Sequence, residues 1–391
     1  MKRKMIIIIL LLLLIILGLL YIYFFPGRDL SVIKESSKVK EINKKKTSDK
    51  YLDNGLFKDY YEKAYQKLQK MSLDEKIGQI LLVRYPDNNQ KEIVEKYQFG
   101  GYLFFGKDFK DKTKDEVIKM IDDSNSVSKI PLLTAVDEEG GIVVRVSSNK
   151  NLRSERFLSS SELYKNGGFD KIKADTIEKS NLLKSLGINL NLAPVVDVSV
   201  DPNDYMYNRS LQEDAKTTAK FSSIVIETSK NTGVSYTLKH FPGYGNNTDT
   251  HSDSSVDSRT KEEIESNDIL PFKSGIKSGA EAILFSHNVV TSMDKDNPAS
   301  LSKTLHDYVR NGLNFTGAVI TDDLDMGALK DIENKNVQAL LAGNDLLIST
   351  DYVESIEKIK QAVDNKLLDE KTLDEHVLRV LAWKYYKGLL K

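Results

Sequence analysis

Asp322 ends the apolar run Gly317-Ala318-Val319-Ile320-Thr321. A carboxylate at the end of a buried strand is rigidly placed. It can serve as a nucleophile, a base, a metal ligand or the cap of a following helix, and Asp323 has the same capping option. A second polar group lies in Lys239–Asp253, KHFPGYGNNTDTHSD. Lys239 and His240 stand where an apolar segment has just ended, and Asp249 and His251 follow in a stretch rich in glycine and asparagine. A carboxylate beside an imidazole can fix its tautomer and stabilise its protonated form, so the pair can give and then take one proton near neutrality. Asp-x-His triplets also occur as ordinary solvated loop residues. A metal reading is open too, with Asp249, His251, Asp253 and Asp257 as ligands, although no HExxH or cysteine spacing accompanies them. Arg145, Arg209 and Lys239 can donate hydrogen bonds to the hydroxyls of a polar ligand, or pair with carboxylates such as Asp137 or Asp197. His240 can bind a hydroxyl as a neutral imidazole, or be a satisfied structural histidine.

These residues need a frame. Short apolar runs recur at Ile80–Arg84, Gly101–Phe105, Leu132–Val136, Leu190–Val196, Ser235–Leu238, Ala282–Phe285, Ala318–Ile320 and Leu346–Ile348. Amphipathic segments such as Lys114–Asp123, Lys171–Leu186 and Asp214–Asn231 lie between them. Apolar runs alternating with helices predict a parallel sheet, and eight repeats fit an α/β fold of the closed (β/α)8 TIM-type better than an open doubly wound sheet. A barrel puts its functional groups just after the strands. Asp137-Glu138-Glu139-Gly140-Gly141, Asp197, Lys239-His240, Ser286-His287-Asn288 and Thr321-Asp322-Asp323 all follow predicted strands. The helical segment Tyr352–Lys391 reads as barrel closure, so residues 51–391 are expected to form a single catalytic domain.

Ahead of that domain, Lys2, Arg3 and Lys4 precede 21 uncharged residues, Met5–Phe25, enough to cross a bilayer core of roughly 30 Å. The run ends in Tyr-Ile-Tyr-Phe-Phe-Pro, which suits a membrane interface and lacks a small-residue cleavage site. Residues 1–26 are therefore expected to be an N-terminal transmembrane signal anchor, a cleaved signal being the alternative. The domain would then be an extracytoplasmic part of a single-pass cell-membrane protein. Residues 27–50 carry eight basic and four acidic side chains and read as a polar linker. Over the whole chain 56 Lys and Arg balance 57 Asp and Glu, which argues against nucleic acid as a partner. The absence of cysteine excludes disulfides, thiolate metal sites and a cysteine nucleophile. No metal and no cofactor are expected.

The motifs together resemble glycoside hydrolase family 3, in its bacterial β-N-acetylglucosaminidase branch, over nearly all of Tyr51–Lys391. They run from Met71-Ser72-Leu73-Asp74-Glu75-Lys76-Ile77-Gly78-Gln79 through Asp137–Gly141 with Arg145, Leu192-Ala193-Pro194-Val195-Val196-Asp197 and Asn208-Arg209-Ser210. Lys239-His240-Phe241-Pro242-Gly243, Asp268-Ile269-Leu270-Pro271-Phe272, Pro298-Ala299-Ser300-Leu301-Ser302 and Thr321-Asp322-Asp323-Leu324 complete the series. The resemblance implies that Asp322 is the nucleophile, that Asp249 and His251 form an acid/base dyad, and that Asp137, Arg145, Arg209, Lys239 and His240 grip the terminal sugar. It implies hydrolysis with retention of a β-linked N-acetylglucosamine from peptidoglycan fragments or related glycans. A phosphorylase or β-glucosidase of the same family, and a non-catalytic glycan-binding protein, are the alternatives. Glu138, Ile142 and Tyr244 depart from the family's common residues, and the stretch Gly245–Asp249 is one residue shorter than in several relatives, which bears on loop geometry and aglycone preference.

Overall fold

The computed structural model describes residues 52–245, 250 and 255–391. The expected anchor and linker lie outside the described residues, as do Asp249, His251 and Asp253. Among the described residues no helix is long and apolar enough to cross a membrane.

The strands in chain order are β1 Leu81–Arg84, β2 Gly101–Phe104, β3 Leu133–Val136, β4 Leu190–Asn191, β5 Ser235–Phe241, β6 Val256–Asp257, β7 Ala282–Phe285, β8 Val289–Val290, β9 Ala318–Thr321 and β10 Leu347–Ser349. Eight of them form one parallel sheet in the order β10-β1-β2-β3-β4-β5-β7-β9. A bridge from Ile320 to Leu346, with Thr321 N donating to Leu346 O at 3.1 Å, joins β9 to the start of β10 and closes the barrel. Strands β2, β3, β5, β7 and β9 are buried along their whole length, as apolar runs covered on both faces by helices should be. The short pair β6–β8 stands apart from the barrel and was not anticipated.

Local chemistry accounts for the helix boundaries. Ser72, Thr113, Ser159 and Thr260 each cap a helix with their hydroxyl, while a glutamate three residues on reaches back to the cap's N–H. The segment Ser160–Ser185 is two helices that meet at non-helical backbone at Gly167 and Gly168, and the second of them is the helix expected at Lys171–Leu186. The C-terminal segment is two helices, Tyr352–Asp364 and Glu370–Tyr386. The second buries Trp383, whose Nε1 donates to Glu281 Oε2 at 2.9 Å, and packs Trp383 against Phe57 near the start of the domain.

Two strand ends differ from expectation. The run Leu190–Val196 is a strand only to Asn191, because Pro194 offers no N–H to a ladder. The chain nevertheless stays beside β5 through a bridge from Val195 to Lys239. Strand β5 continues to Phe241, so Lys239 and His240 lie inside it and not after it. Their polar side chains disguise a strand end, and a register shift between Leu238 and Phe241 turns that end toward the barrel mouth.

Candidate active site

At the C-terminal mouth, three strands present a compact set of charges. Lys239 on β5 is buried and places its ammonium 2.7 Å from Asp137 Oδ1 and 2.7 Å from Glu139 Oε1, both just past β3. Arg209, on the long loop after β4, grips Glu139 with two nitrogens, Nε at 3.0 Å and Nη2 at 2.8 Å. Burial alone would push the Glu139 carboxyl up. The charges of Arg209 and Lys239 outweigh it and hold the group well below the usual range. Burial likewise opposes charge on Lys239, and Asp137 and Glu139 reverse that, so its pKa is raised. Arg145 stands at the edge of the cluster, 3.6 Å from Asp137, with its guanidinium over the Phe105 ring. Its Nε is buried and has no hydrogen-bond partner among the described residues.

His240 is held from below. Asp197 Oδ2 accepts from His240 Nδ1 at 2.8 Å and from its backbone N–H at 3.1 Å, while Asp197 Oδ1 accepts from the Tyr244 N–H at 2.8 Å. The proton therefore belongs on Nδ1. Nε2 is left as an acceptor, and Arg209 Nη2 lies 3.3 Å from it. Asp197 is thus the support for His240 and not a partner for an arginine.

Asp322 sits half-buried at the end of β9. Its backbone N–H donates to Phe285 O at 2.9 Å, and its Oδ1 accepts the Asp323 N–H at 2.9 Å. Burial pushes its carboxyl up, but His287, His240, the Asp323 N–H and Lys239 together bring it below the ordinary value, so it is ionised at neutral pH. Asp323 differs. Burial raises its carboxyl, which accepts from the Asp325 N–H at 3.0 Å and from the Thr350 hydroxyl at 2.8 Å. Neither residue caps a helix, since Met326 and Asn334 precede the next helical segments.

The structure brings Asp137, Arg145, Arg209, Lys239 and His240 into one cluster, and places Asp322 within the electrostatic reach of Lys239 and His240. Asp249 and His251 lie outside the described residues, but the flanks of their loop are defined. Gly243 and Gly245 have φ of 120° and 58°, and a Cβ there would meet Asp268 at 2.6 Å and Arg259 at 2.4 Å. Glycine is therefore required for the loop to leave β5 over the Asp268–Arg259 ion pair. Thr250 is buried. Its hydroxyl bonds the Tyr244 phenol, and its carbonyl accepts the Ala328 N–H at 3.2 Å, so it is fastened beside the loop that carries Asp322. Asp257, a ligand in the metal reading, is held in an ion pair with Arg259 at 2.7 Å.

Three supporting residues escaped the choice of site residues from sequence. Glu139 takes both Arg209 and Lys239. Tyr244 is buried against Thr250, its phenol pushed up first by burial and then by Asp322. His287 is buried, with Nδ1 2.7 Å from the Ser300 hydroxyl and Nε2 2.9 Å from Asp323 O, and its charge lowers Asp322. Each directly follows a barrel strand or its first turn, the signal that marked the other residues.

A charge-balanced polar cup with an ionised carboxylate at the mouth of a (β/α)8 barrel fits a glycoside-processing class of barrel. Residues 72–383 match the family described as Glycosyl hydrolase family 3 N terminal domain, and the chain belongs to glycosyl hydrolase family 3. It is similar to beta-hexosaminidase LpqI of Mycobacterium tuberculosis, at 28% identity over 80% of this chain and 83% of that protein. A beta-hexosaminidase of Tolumonas auensis is 32% identical over 67% of this chain and 79% of that one. Among solved structures, a glycoside hydrolase family 3 beta-N-acetylglucosaminidase from Paenibacillus sp. str. FPU-7 superposes with a TM-score of 0.76 at 25% identity. That match covers 82% of this chain and 63% of the Paenibacillus chain, so this protein spans less than two thirds of that enzyme. The M. tuberculosis LpqI structure gives a TM-score of 0.72 at 25% identity, over 81% of this chain and 95% of that one.

Proposed function

We propose that this protein is a retaining exo-β-N-acetylglucosaminidase acting on terminal β-linked N-acetylglucosamine of peptidoglycan fragments or related glycans. The observation that carries the reading is Asp322, ionised at the end of β9, in the field of the cluster built from Asp137, Glu139, Lys239, Arg209 and His240. Relatives named beta-hexosaminidase support the choice of sugar.

In this mechanism Asp322 attacks the anomeric carbon and forms a covalent glycosyl-enzyme. His251, supported by Asp249, protonates the leaving oxygen and then deprotonates the incoming water. Arg145, Arg209, Lys239, Asp137 and His240 hold the sugar hydroxyls. Arg209, Lys239, Asp137 and Glu139 are paired with one another in this cup, so a hydroxyl entering it exchanges one good partner for another and desolvation costs little. A histidine acid also brings less negative charge near Asp322 than a carboxylate would. The apolar run Met5–Phe25 anchors the enzyme to the membrane, with the barrel on the outer side, where such glycans lie.

The test is a panel of aryl β-glycosides, the N-acetylglucosaminide, N-acetylgalactosaminide, glucoside and xyloside, assayed with and without phosphate. The expected result is preferred cleavage of the N-acetylglucosaminide, with free sugar released first as the β anomer by NMR. An α-anomeric first product rejects retention. Sugar phosphate as the main product rejects hydrolysis, and preference for the glucoside rejects the sugar.

A further inference from the structure

We propose that Glu138 is a positioning residue that sets the sugar-gripping side of the cup by pinning the Arg145 loop to β3; the functional part of this rests on the reading above. Glu138 is completely buried between Asp137 and Glu139, yet its side chain faces away from the cations those two neighbours hold. Four donors converge on it instead. Oε2 accepts the N–H groups of Arg145 at 2.8 Å and Val146 at 2.7 Å. Oε1 accepts the Ser147 N–H at 3.2 Å and a short bond from the Ser147 hydroxyl. The Ser147 oxygen in turn accepts the Phe157 N–H at 3.2 Å, which commits its own proton to Glu138.

The backbone of Glu138 is clamped as firmly. Its N–H donates to Asn191 Oδ1 at 3.0 Å and its carbonyl accepts from Asn191 Nδ2 at 3.2 Å, at the end of β4. One residue therefore ties β3, β4 and the turn 145–147 into a single body. Asp137 and Glu139, on either side, have their carboxylates placed by the same clamp. Arg145 has its own N–H held while its guanidinium reaches back to Asp137.

The site specifies a carboxylate. Both oxygens face donors only, so a glutamine must turn its NH2 toward either two N–H groups or the Ser147 pair. The second orientation is the less costly. It keeps the Arg145 and Val146 bonds but sets an NH2 against the Ser147 N–H and strands the hydroxyl proton. Leucine would keep none of the four. Arg145 is thus predicted to lose order in the sequence wild type, Glu138→Gln, Glu138→Leu. A loosened Arg145 weakens the hold on substrate and transition state alike, which raises KM and leaves kcat little changed.

Two measurements on the same proteins decide the proposal. In Glu138→Gln the 145–147 amides should exchange hydrogen about tenfold faster than in wild type, and KM for an aryl β-N-acetylglucosaminide should rise about tenfold with kcat within about threefold. Unchanged exchange overturns the pinning. Faster exchange with unchanged KM overturns its link to the sugar, as does an equal fall in kcat and kcat/KM. If Glu138→Leu does not fold, the glutamine variant still decides both points. If the wild type cleaves no aryl β-glycoside, the proposed function fails, and the exchange rates alone settle whether Glu138 pins the turn.

Discussion

The two ends of the barrel each hold a buried ionic cluster, and they are built differently. At the N-terminal end Asp345 accepts from Arg310 at 2.6 Å, Arg379 at 3.1 Å, His376 at 3.2 Å and the Val319 N–H at 2.9 Å. Arg379 goes on to Asp53, the Tyr61 hydroxyl and Thr316 O. Arg310 spends its other nitrogen on Phe315 O and Gly317 O. The chain itself closes this network, which ties the C-terminal helix and residue 53 to β9 and β10. At the C-terminal end the charges are balanced, but among the described residues Arg145 Nε has no hydrogen-bond partner, its contact with Asp137 is 3.6 Å, and Asp322 is only half-buried. A closed cluster serves stability, and an open one keeps capacity for a ligand. The contrast predicts that substitutions at the mouth change activity with little effect on stability, while those at the base do the reverse.

The largest effect is expected at the mouth. Asp322→Asn should lower kcat with an aryl β-N-acetylglucosaminide by about 10³-fold or more, with an unchanged melting temperature. The wild-type pH profile bears on the same group. A carboxyl held below its ordinary value stays ionised as pH falls, so the acid limb of kcat/KM assigned to the nucleophile should lie below about pH 4. Wild-type turnover in Asp322→Asn would remove the nucleophile from the scheme.

At the base, Asp345→Asn should cost about 3–5 kcal/mol of stability, because it leaves the buried Arg310 guanidinium without its counter-charge and Arg379 with Asp53 alone. Burial raises the Asp345 carboxyl, and Arg310, Arg379 and His376 overcome this and hold it far below the usual range. A depressed folded pKa gives stability that is present above the unfolded value of about 3.9 and is lost as pH falls through the folded one. Urea melts should therefore show the variant's deficit at pH 7, and the deficit should shrink in strong acid. Its kcat per folded molecule should match wild type. A loss of activity without loss of stability would erase the distinction between the two ends.

A second buried charge at the base works against the fold. Lys384 is completely buried, donates to Gln79 Oε1 at 2.8 Å, and is pushed by burial down to about 7. For a base with a depressed pKa, the unfolded chain binds more protons between about pH 7 and 10.4, so stability rises with pH across that window. Lys384→Met should make the protein about 1–3 kcal/mol more stable at pH 7, less whatever Gln79 loses with its donor. It should also flatten the rise. Parallel pH slopes in the two proteins would show that the amine carries no such penalty.

These charges also show what was legible in the sequence. The eight barrel strands could be read because each is an apolar run buried on both faces, and β7 matches its expected bounds, Ala282–Phe285. The placement of Asp137, Arg209, Lys239, His240 and Asp322 at the barrel mouth could be read because a barrel puts its polar groups at strand ends. Partner choice could be read only in part. Lys239 and Arg145 pair with Asp137 as expected, but Glu139 takes Arg209 and shares Lys239, since pairing depends on side-chain direction across strands and spacing along one chain does not encode it. The Asp345 network joins residues from 53 to 379, and its members lie too far apart in sequence to form any local pattern. Strand β5 was read short because Lys239 and His240 are polar, and their burial depends on Asp137, Glu139 and Asp197 arriving from other strands.

The smallest predicted effect lies between the two ends, on the loop that leaves β5. Tyr244 donates to or accepts from Thr250, whose carbonyl takes the Ala328 N–H, and Thr250 separates Asp249 from His251 along the chain. Tyr244→Phe removes one buried hydrogen bond and nothing else, a loss of about 1 kcal/mol. If the phenol only packs, that cost should appear as a slightly lower melting temperature with unchanged kinetics. If it also positions the residues flanking Thr250, kcat should fall about 3–10-fold with a leaving group that needs protonation, and less with one that does not. The second outcome is expected, because the Tyr244 phenol feels the charge of Asp322 and so stands close to the reacting centre. Equal rates for both leaving groups in wild type and variant would assign Tyr244 to the closed, structural kind of contact found at the barrel base.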